Sequence, residues 1–402
     1  MDIVIIAQYL RNIESFDDNN SRFVYLAKLL SKNSNNTIEI ITSDFNHGRK
    51  KHFTKIDNLT SVRISVFHES GYPKNISLKR FSSHKELAKN IKRYLEHRKK
   101  PDVCYCAIPS LDVGDAVAKY CKSHDVRFII DVQDLWPEAF QMVFNIPIVS
   151  QMIFYPFKNL ANKIYKSADE IIAVSQSYVD RAMDVNKKIK NGHAVFLGTK
   201  LETFDKNVSE NKYYRSDNKI WIGYCGTLGS SYDLICAIDA IAILKDRFDI
   251  EFIVMGDGPR KSEFEKYAQR KKIVAVFTGR LDYEKMCGLL SVCDIVVNPI
   301  THSAAQSIIN KHADYAAAGI PIVSTQECEE YCNLVDNYHM GFNCKNSDPI
   351  DMANKIQQLI ENKALRIEMG RNARRCAEEK FDRERTYQEI IGLVEKQYEC
   401  SN

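Results

Sequence analysis

The stretch KIWIGYCGTLGSSYDLICAIDAIAIL, residues 219–244, decides the fold. Its first part, through Cys225, is nearly continuously apolar, as a strand covered on both faces must be. Gly226-Thr227-Leu228-Gly229 then turns the chain, and Leu234 to Leu244 carries a helix pattern. A strand that runs through a glycine loop into a helix is the repeating unit of a parallel α/β sheet. The same apolar runs return downstream at IEFIVMG (250–256), VAVFTG (274–279), DIVVNP (294–299) and IPIVST (320–325). Upstream they stand at DIVIIA (2–7), TIEIIT (37–42), VRISVF (62–67), VCYCAI (103–108), RFIIDV (127–132) and EIIAVS (170–175). A polar stretch, DKNVSENKYYRSDNK (205–219), separates the two series. The expectation is an α/β protein with two Rossmann-like, doubly wound domains facing a cleft. The first covers 1–205 plus a returning C-terminal helix at about 383–402, and the second covers 206–382.

A length of 402 residues fits two domains, because single cores stop growing near ~250–300 residues. With 45% hydrophobic and 27% charged residues, the composition excludes disordered and collagen-like classes. The net charge of +4 hides an asymmetry: residues 1–200 hold 30 Lys and Arg against 21 Asp and Glu, and the remainder 26 against 31. Asp2 stands where a secretory signal would carry a basic residue, and the twelve cysteines contain no C-x-x-C. Reduced thiols in a cytoplasmic protein are therefore expected. Ala139 to Phe157, the most apolar later stretch, is broken by Gln141, Asn145, Pro147, Gln151 and Pro156, too soon for a spanning helix. Basic runs at Arg49-Lys50-Lys51-His52, Lys79-Arg80 and Lys92 to Lys100 accompany Phe140, Met142, Val143, Phe144, Ile146, Ile153, Phe154, Tyr155 and Phe157. They suit peripheral docking on an anionic membrane; solvated helix faces and ordinary core are the alternatives. No recognition-helix or basic aromatic pattern points to nucleic acid. Two helix starts are also read here, a Ser83/Glu86 capping box and an Asp348-Pro349 cap.

In open α/β sheets ligands bind beyond the carboxyl ends of the strands. Gly226 to Gly229, Gly256-Asp257-Gly258-Pro259 and Thr278-Gly279-Arg280 are three such loops. Each admits backbone N–H groups to a phosphate, and each also serves a tight turn that needs glycine for itself. The segment QSIINKHADYAAAGIP (306–321) places Lys311 and Asp314 three apart on a helix. The amine offers a point charge for a pyrophosphate and the carboxylate a partner for a ribose diol; a solvated ion pair is the alternative. Asp134, following strand RFIIDV, is the candidate catalytic residue, a carboxylate at a strand's carboxyl end able to orient a substrate hydroxyl or, alternatively, to cap the next helix. Asp131, inside that strand, reads as a buried hydrogen-bonded residue.

QSIINKHADYAAAGIP resembles the E-x7-E region of family 4 glycosyltransferases of the GT-B fold, with Gln306 and Asp314 at the spacing of the two glutamates. FIVMGDGPRKSEFE (252–265), VFTGRLDYEKMCGLLSVCDIVVNPI (276–300) and AAAGIPIVST resemble further landmarks in order, and DVQDLWPEAF (131–140) resembles members from bacterial capsule and O-antigen clusters. The resemblance implies a retaining transferase whose second domain binds a nucleotide sugar, expected to be a UDP-sugar, and whose acceptor is a lipid-linked oligosaccharide. By motif, Asp314 would hold the ribose and Gln306 the donor sugar. Gly226, Thr227 and Lys311 would meet the diphosphate, Arg280 and Leu281 would flank the base, and Asp257 and Asn310 complete the donor side. Asn20, Arg22 and Glu138 are the acceptor-side candidates. Three departures stand out: Thr227 and Ser231 or Tyr232 occupy the family's basic pair, Gln306 replaces a glutamate, and Asp18-Asn19-Asn20-Ser21 replaces a glycine pair. Without that pair, Lys311, backbone N–H groups or Arg22 would meet the diphosphate charge. No D-x-D pair is present, so no metal and no cofactor beyond the nucleotide sugar are expected. A nucleotide-sugar epimerase, a catalytically silent partner of another transferase and a small-molecule binding protein are the competing readings.

Overall fold

The structure is a computed structural model. It describes residues 1–10, 13, 21–54, 61–75, 77–138, 147–215, 217–302, 308 and 310–396, without the side chains of 147–153 and 310. The chain forms two compact units, Met1–Val195 with the segment from Tyr387 onward, and Phe196–Thr386.

The first unit is built on β1 (Asp2–Ile6), β2 (Thr37–Ser43), β5 (Arg63–Phe67), β6 (Val103–Ile108), β7 (Arg127–Val132), β8 (Glu170–Ala173) and β9 (His193–Ala194). They form one parallel sheet in the order β5-β2-β1-β6-β7-β8-β9. Because strand side chains alternate between faces, Val4, Ile6, Cys104 and Cys106 pack on one side with Leu87, Ile91 and Val117. Ile3, Ile5, Val103 and Tyr105 pack on the other with Leu26 and Leu30. That second face is completed by Tyr387, Ile390 and Val394 of the C-terminal helix Arg383–Glu395. An antiparallel pair, β3 (Phe45–Asn46) with β4 (Lys51–His52), leaves the sheet after β2.

Arg22 opens the helix Arg22–Leu30 and turns inward, where its Nε donates to Asp131 Oδ2 at 2.7 Å. Its Nη1 donates to Val195 O at 2.9 Å and to the Tyr387 hydroxyl at 3.3 Å, and Tyr105 donates to the same Asp131 oxygen at 2.6 Å. Burial opposes the guanidinium's charge, yet the Asp131 carboxylate holds its pKa above the ordinary arginine value. This corrects the acceptor-side reading of Arg22: its charge is neutralised within the core and is not presented to a ligand. Asp131 is the buried, hydrogen-bonded residue its place in the strand suggested.

The second unit has six parallel strands, β10 (Ile220–Cys225), β11 (Ile250–Met255), β12 (Ala275–Gly279), β13 (Ile295–Asn298), β14 (Ile322–Ser324) and β15 (Gly341–Asn343). Their order is β12-β11-β10-β13-β14-β15, the doubly wound arrangement in which strand order reverses between the first and fourth strands. The expected cut at 205/206 falls inside the helix Leu201–Glu210, whose Leu201 and Phe204 are buried in the second unit's core. The contacts divide the chain at Val195/Phe196 instead.

Two helix starts contrast. Asp348 caps Pro349–Glu361 by accepting from the N–H groups of Ile350 and Asp351, as the Asp-Pro pair predicts. The Ser83/Glu86 box is corrected, because that helix already begins at Leu78. Ser83 instead donates to Glu69 at 2.5 Å, and Glu86 accepts from the Ser70 N–H at 2.7 Å. Among the described residues no helix is long and apolar enough to cross a membrane. The proposed membrane-facing Phe140, Met142, Val143, Phe144 and Ile146 lie outside the described residues, as does the side chain of Ile153.

Removing one partner of a buried ion pair strands the other. Arg22→Met is expected to lower stability by roughly 3–5 kcal/mol in equilibrium denaturation, and Arg22→Met with Asp131→Leu to recover part of that loss. Equal losses in both variants would show that the pair is not the source of the cost.

Candidate functional site

The reversal of strand order places the candidate donor site at the carboxyl ends of β10 and β13. Here Gly226 has φ 142°, a conformation that favours glycine. Its N–H donates to Met255 O at 3.0 Å, Leu228 N to Asp257 O at 2.9 Å, and Arg260 N to Leu228 O at 3.0 Å. The loops after β10 and β11 thus lie backbone against backbone. A Cβ on Gly256 would stand 1.8 Å from Gly226 O, and one on Gly258 would stand 2.4 Å from Leu228 O. The second glycine turn therefore acts by permitting this approach. Asp257 serves the turn as well, its exposed carboxylate accepting from the Gly258 N–H at 2.7 Å. Thr227 is exposed at the loop's tip, and Tyr224 donates to the Thr227 carbonyl at 2.9 Å from below.

The helix Asn310–Ala317 is anchored to this loop by Tyr315, whose hydroxyl receives the Cys225 N–H at 2.8 Å and lies 3.1 Å from the Cys225 carbonyl. One turn earlier on the same face comes Lys311. Its Cδ lies 3.7 Å from the position a Cβ on Gly226 would take. Its Nζ faces two rings, 3.9 Å from the Tyr232 centroid and 4.9 Å from that of Tyr224. Tyr232 is held there because its segment pairs with the chain after β13, through Asp233 N to Pro299 O at 3.0 Å and Thr301 N to Ser231 O at 3.2 Å. Lys311 is only 7% exposed, and among the described residues its Nζ has no hydrogen-bond partner. Burial pushes its pKa down to about 7.

Asp314, three residues on, is half-buried, and burial raises its carboxyl to about 6. Tyr283 donates to its Oδ1 at 2.8 Å, and the Tyr283 hydroxyl lies 2.9 Å from Thr199 Oγ1. A solvated Lys311–Asp314 ion pair is therefore not what forms; the two groups have separate surroundings. His312 points away, stacked on Tyr331 at 3.8 Å with Asn298 Nδ2 3.1 Å from its Nε2, and burial keeps it neutral. Arg280 is exposed at the end of β12, and Leu281 is half-buried against the second core. Gln306 and the side chain of Asn310 lie outside the described residues.

On the first unit, Asp134 occupies a bend after β7 and not a helix cap. Burial raises its carboxyl, opposed by hydrogen bonds from the Leu135 N–H, at 2.9 Å, and from Trp136. Around it stands a cluster that the sequence reading missed. Arg80 lies over the Trp136 ring at 4.2 Å and donates to the Tyr9 hydroxyl at 3.2 Å, which in turn lies 3.1 Å from His84 Nε2. Burial drives His84 down to about 3 and Tyr9 up to about 12, so both are neutral at ordinary pH. Glu138 takes a bond from Arg181 at 2.6 Å, which commits one of its oxygens within the unit. Asn20 lies outside the described residues. Arg80 and His84 stand one turn apart on the helix Leu78–His97, but Tyr9 after β1 and Trp136 after β7 are far from them in sequence, so only the fold brings the four together.

Known proteins share this architecture. A crystal structure of Anabaena HepE in complex with UDP matches with a TM-score of 0.69 at 17% identity, over 98% of this chain and 99% of that one. The chain has the GT-B glycosyltransferase fold. Residues 219–362 match the family Glycosyl transferases group 1, so the second unit carries that domain and the protein is a glycosyltransferase. The capsular polysaccharide biosynthesis glycosyltransferase CapM of Staphylococcus aureus is 23% identical over 377 residues, 90% of each chain. An uncharacterized glycosyltransferase of Methanocaldococcus jannaschii is 23% identical over 254 residues, 61% of this chain and 63% of that one.

The buried amine has a consequence for stability that needs no ligand. With a folded-state pKa of about 7 against an ordinary 10.5, the native state binds fewer protons here than the unfolded chain. This contribution favours folding above pH 10.5 and is lost as pH falls to about 7, by about 1.4 kcal/mol per unit. Lys311→Met is therefore expected to stabilise the protein at neutral pH, with the gain shrinking as pH rises. A pH-independent difference in denaturation midpoint would contradict it.

Proposed function

We propose that the protein is a family 4, retaining hexosyltransferase that moves a sugar from a UDP-sugar to a lipid-linked oligosaccharide in bacterial surface polysaccharide biosynthesis. The observation that carries the reading is Lys311: a buried amine at the strand-order reversal, fenced by Tyr224 and Tyr232 and lacking a hydrogen-bond partner among the described residues. An anion arriving above Gly226 supplies that partner. The UDP bound by the HepE structure and the capsule role in the CapM name support the choice of donor and pathway.

In this reading Lys311 and the loop N–H groups meet the diphosphate in place of a metal ion, and no cofactor beyond the nucleotide sugar takes part. Asp314, oriented by Tyr283, accepts from the ribose hydroxyls. The bond between the anomeric carbon and the leaving phosphate oxygen breaks with positive charge building on the sugar ring. The acceptor oxygen attacks on the same face, and its proton passes to the leaving phosphate, which retains configuration. A strong protein base is then unnecessary, and Asp134 serves by orienting the acceptor hydroxyl. The acceptor-bearing first unit works in the cytoplasm at the inner face of an anionic membrane, where its surplus of basic residues favours attachment.

The affinity for a UDP-sugar, whose diphosphate diester does not titrate in this range, should vary with pH in a set direction. Above about 7 Lys311 loses its proton and affinity falls; below about 6 Asp314 gains one and the ribose contact is lost. Calorimetry should show strongest binding between those values. Lys311→Met should remove the alkaline limb, and Asp314→Ala the acid limb. If neither substitution alters affinity, the donor site lies elsewhere. For turnover, a panel of nucleotide sugars with a membrane-extracted lipid acceptor should give acceptor-dependent release of nucleoside diphosphate. Epimer formation without acceptor would point to isomerisation, and binding without either reaction to a silent partner.

A further inference from the structure

The first unit holds a cluster of ligating side chains that the mechanism proposed above leaves unused. Asp44 follows β2, His52 ends β4 and His68 follows β5. Main-chain bonds bring the three segments together: Asp44 N donates to Phe67 O at 3.0 Å, and Phe53 N donates to Asp44 O at 2.9 Å. The β3–β4 register sets His52 opposite Phe45, whose ring meets the imidazole edge-on at 5.3 Å between centroids. Asn90 holds the His68 carbonyl at 3.0 Å, and the Glu69 N–H donates to Asp44 Oδ1 at 3.2 Å. Most of these contacts are made by the backbone and leave the ligating atoms where they are.

Those atoms converge. His68 Nδ1 lies 2.7 Å from Asp44 Oδ2, and His52 Nε2 lies 3.7 Å from Asp44 Oδ1. The two imidazoles stack at 5.2 Å with 21° between planes, and one ligating atom of each of the three residues lies within 4.8 Å of the others. His52 Nε2 also lies 2.8 Å from the Glu69 carbonyl.

We propose that Asp44, His52 and His68 form a binding site for a divalent late transition metal, with Zn2+ as the reference ion. A cation about 2.0–2.2 Å from each ligand needs those ligands about 3–4 Å apart, and small rotations of the two exposed imidazoles bring them there. Two imidazoles with one carboxylate suit Zn2+ and its neighbours, whereas Mg2+ and Ca2+ call for oxygen donors. Without metal, protons hold His68 to Asp44 and His52 to the Glu69 carbonyl. A cation takes the place of both, and the carbonyl or water completes its shell. The site would pin the β3–β4 hairpin to the end of β5. Glu69, beside it, accepts from Gln8 at 3.0 Å and Ser83 at 2.5 Å, and so ties the hairpin's base to β1 and the helix Leu78–His97. The role is structural and belongs to the first unit.

The test is calorimetric titration of the full chain, chelator-stripped and reduced, with Zn2+ alone, joined to thermal denaturation with and without the ion. One equivalent should bind and raise the melting temperature. His68→Gln and His52→Gln should each weaken binding by at least about tenfold and abolish the thermal shift, with UDP-sugar affinity unchanged. His68 is 60% exposed on its side chain, so that variant keeps the test intact if His52→Gln fails to fold. Co2+ should give visible ligand-field absorption without a thiolate charge-transfer band. No binding, binding untouched by His68→Gln, or a thiolate band assigning the ion to cysteine would each overturn the proposal.

Discussion

The candidate donor side rests on two stretches of main chain lying closer together than any side chain permits. The Gly226 carbonyl occupies the space where Gly256 would carry a Cβ, and the Leu228 carbonyl does the same at Gly258. This contact keeps the loop after β10 low over the strand ends. The Tyr315 anchor can then reach Cys225, and Lys311 can lie beneath Gly226. Substituting either of these two glycines would force the loops apart and move everything seated on them.

That arrangement holds a positive charge where water cannot solvate it. Two tyrosine faces offer part of the lost solvation, and burial still lowers the amine's pKa. A protein selected only for stability would place methionine at this position. The amine makes sense if binding recovers what folding gives up, and this is the usual relation between a site's strain and its use.

The strands were legible because buried parallel strands leave continuous apolar runs, and each run predicted from sequence contains a strand. Short elements were not: β3, β4, β9 and β15 have two or three residues each, too few for a period to show. Lys311 and Asp314 could be named from their helical spacing and the family resemblance, but their surroundings could not. Tyr232 comes from the loop after β10 and Tyr283 from the start of the helix Tyr283–Leu290, and only tertiary packing sets either beside the site. Arg22 misled because a lone arginine reads as surface charge until its partner, Asp131 in a strand 109 residues away, is known. Ser83 and Glu86 had the spacing of a cap, yet the chain had already turned helical at Leu78 and their side chains went to a neighbouring loop.

The helix that finishes the first sheet comes from the far end of the chain. Tyr387, Ile390 and Val394 cover a face whose other residues have all been made by Val195. On a ribosome adding ~5–20 residues per second, that face waits roughly 10–40 seconds for its cover. Throughout that interval Ile3, Ile5, Leu26 and Leu30 lack the cover of Tyr387, Ile390 and Val394, and Arg22 lacks the hydroxyl of Tyr387. During synthesis, then, the first unit's sheet stays short of this cover, and translation speed through residues 196–386 sets for how long.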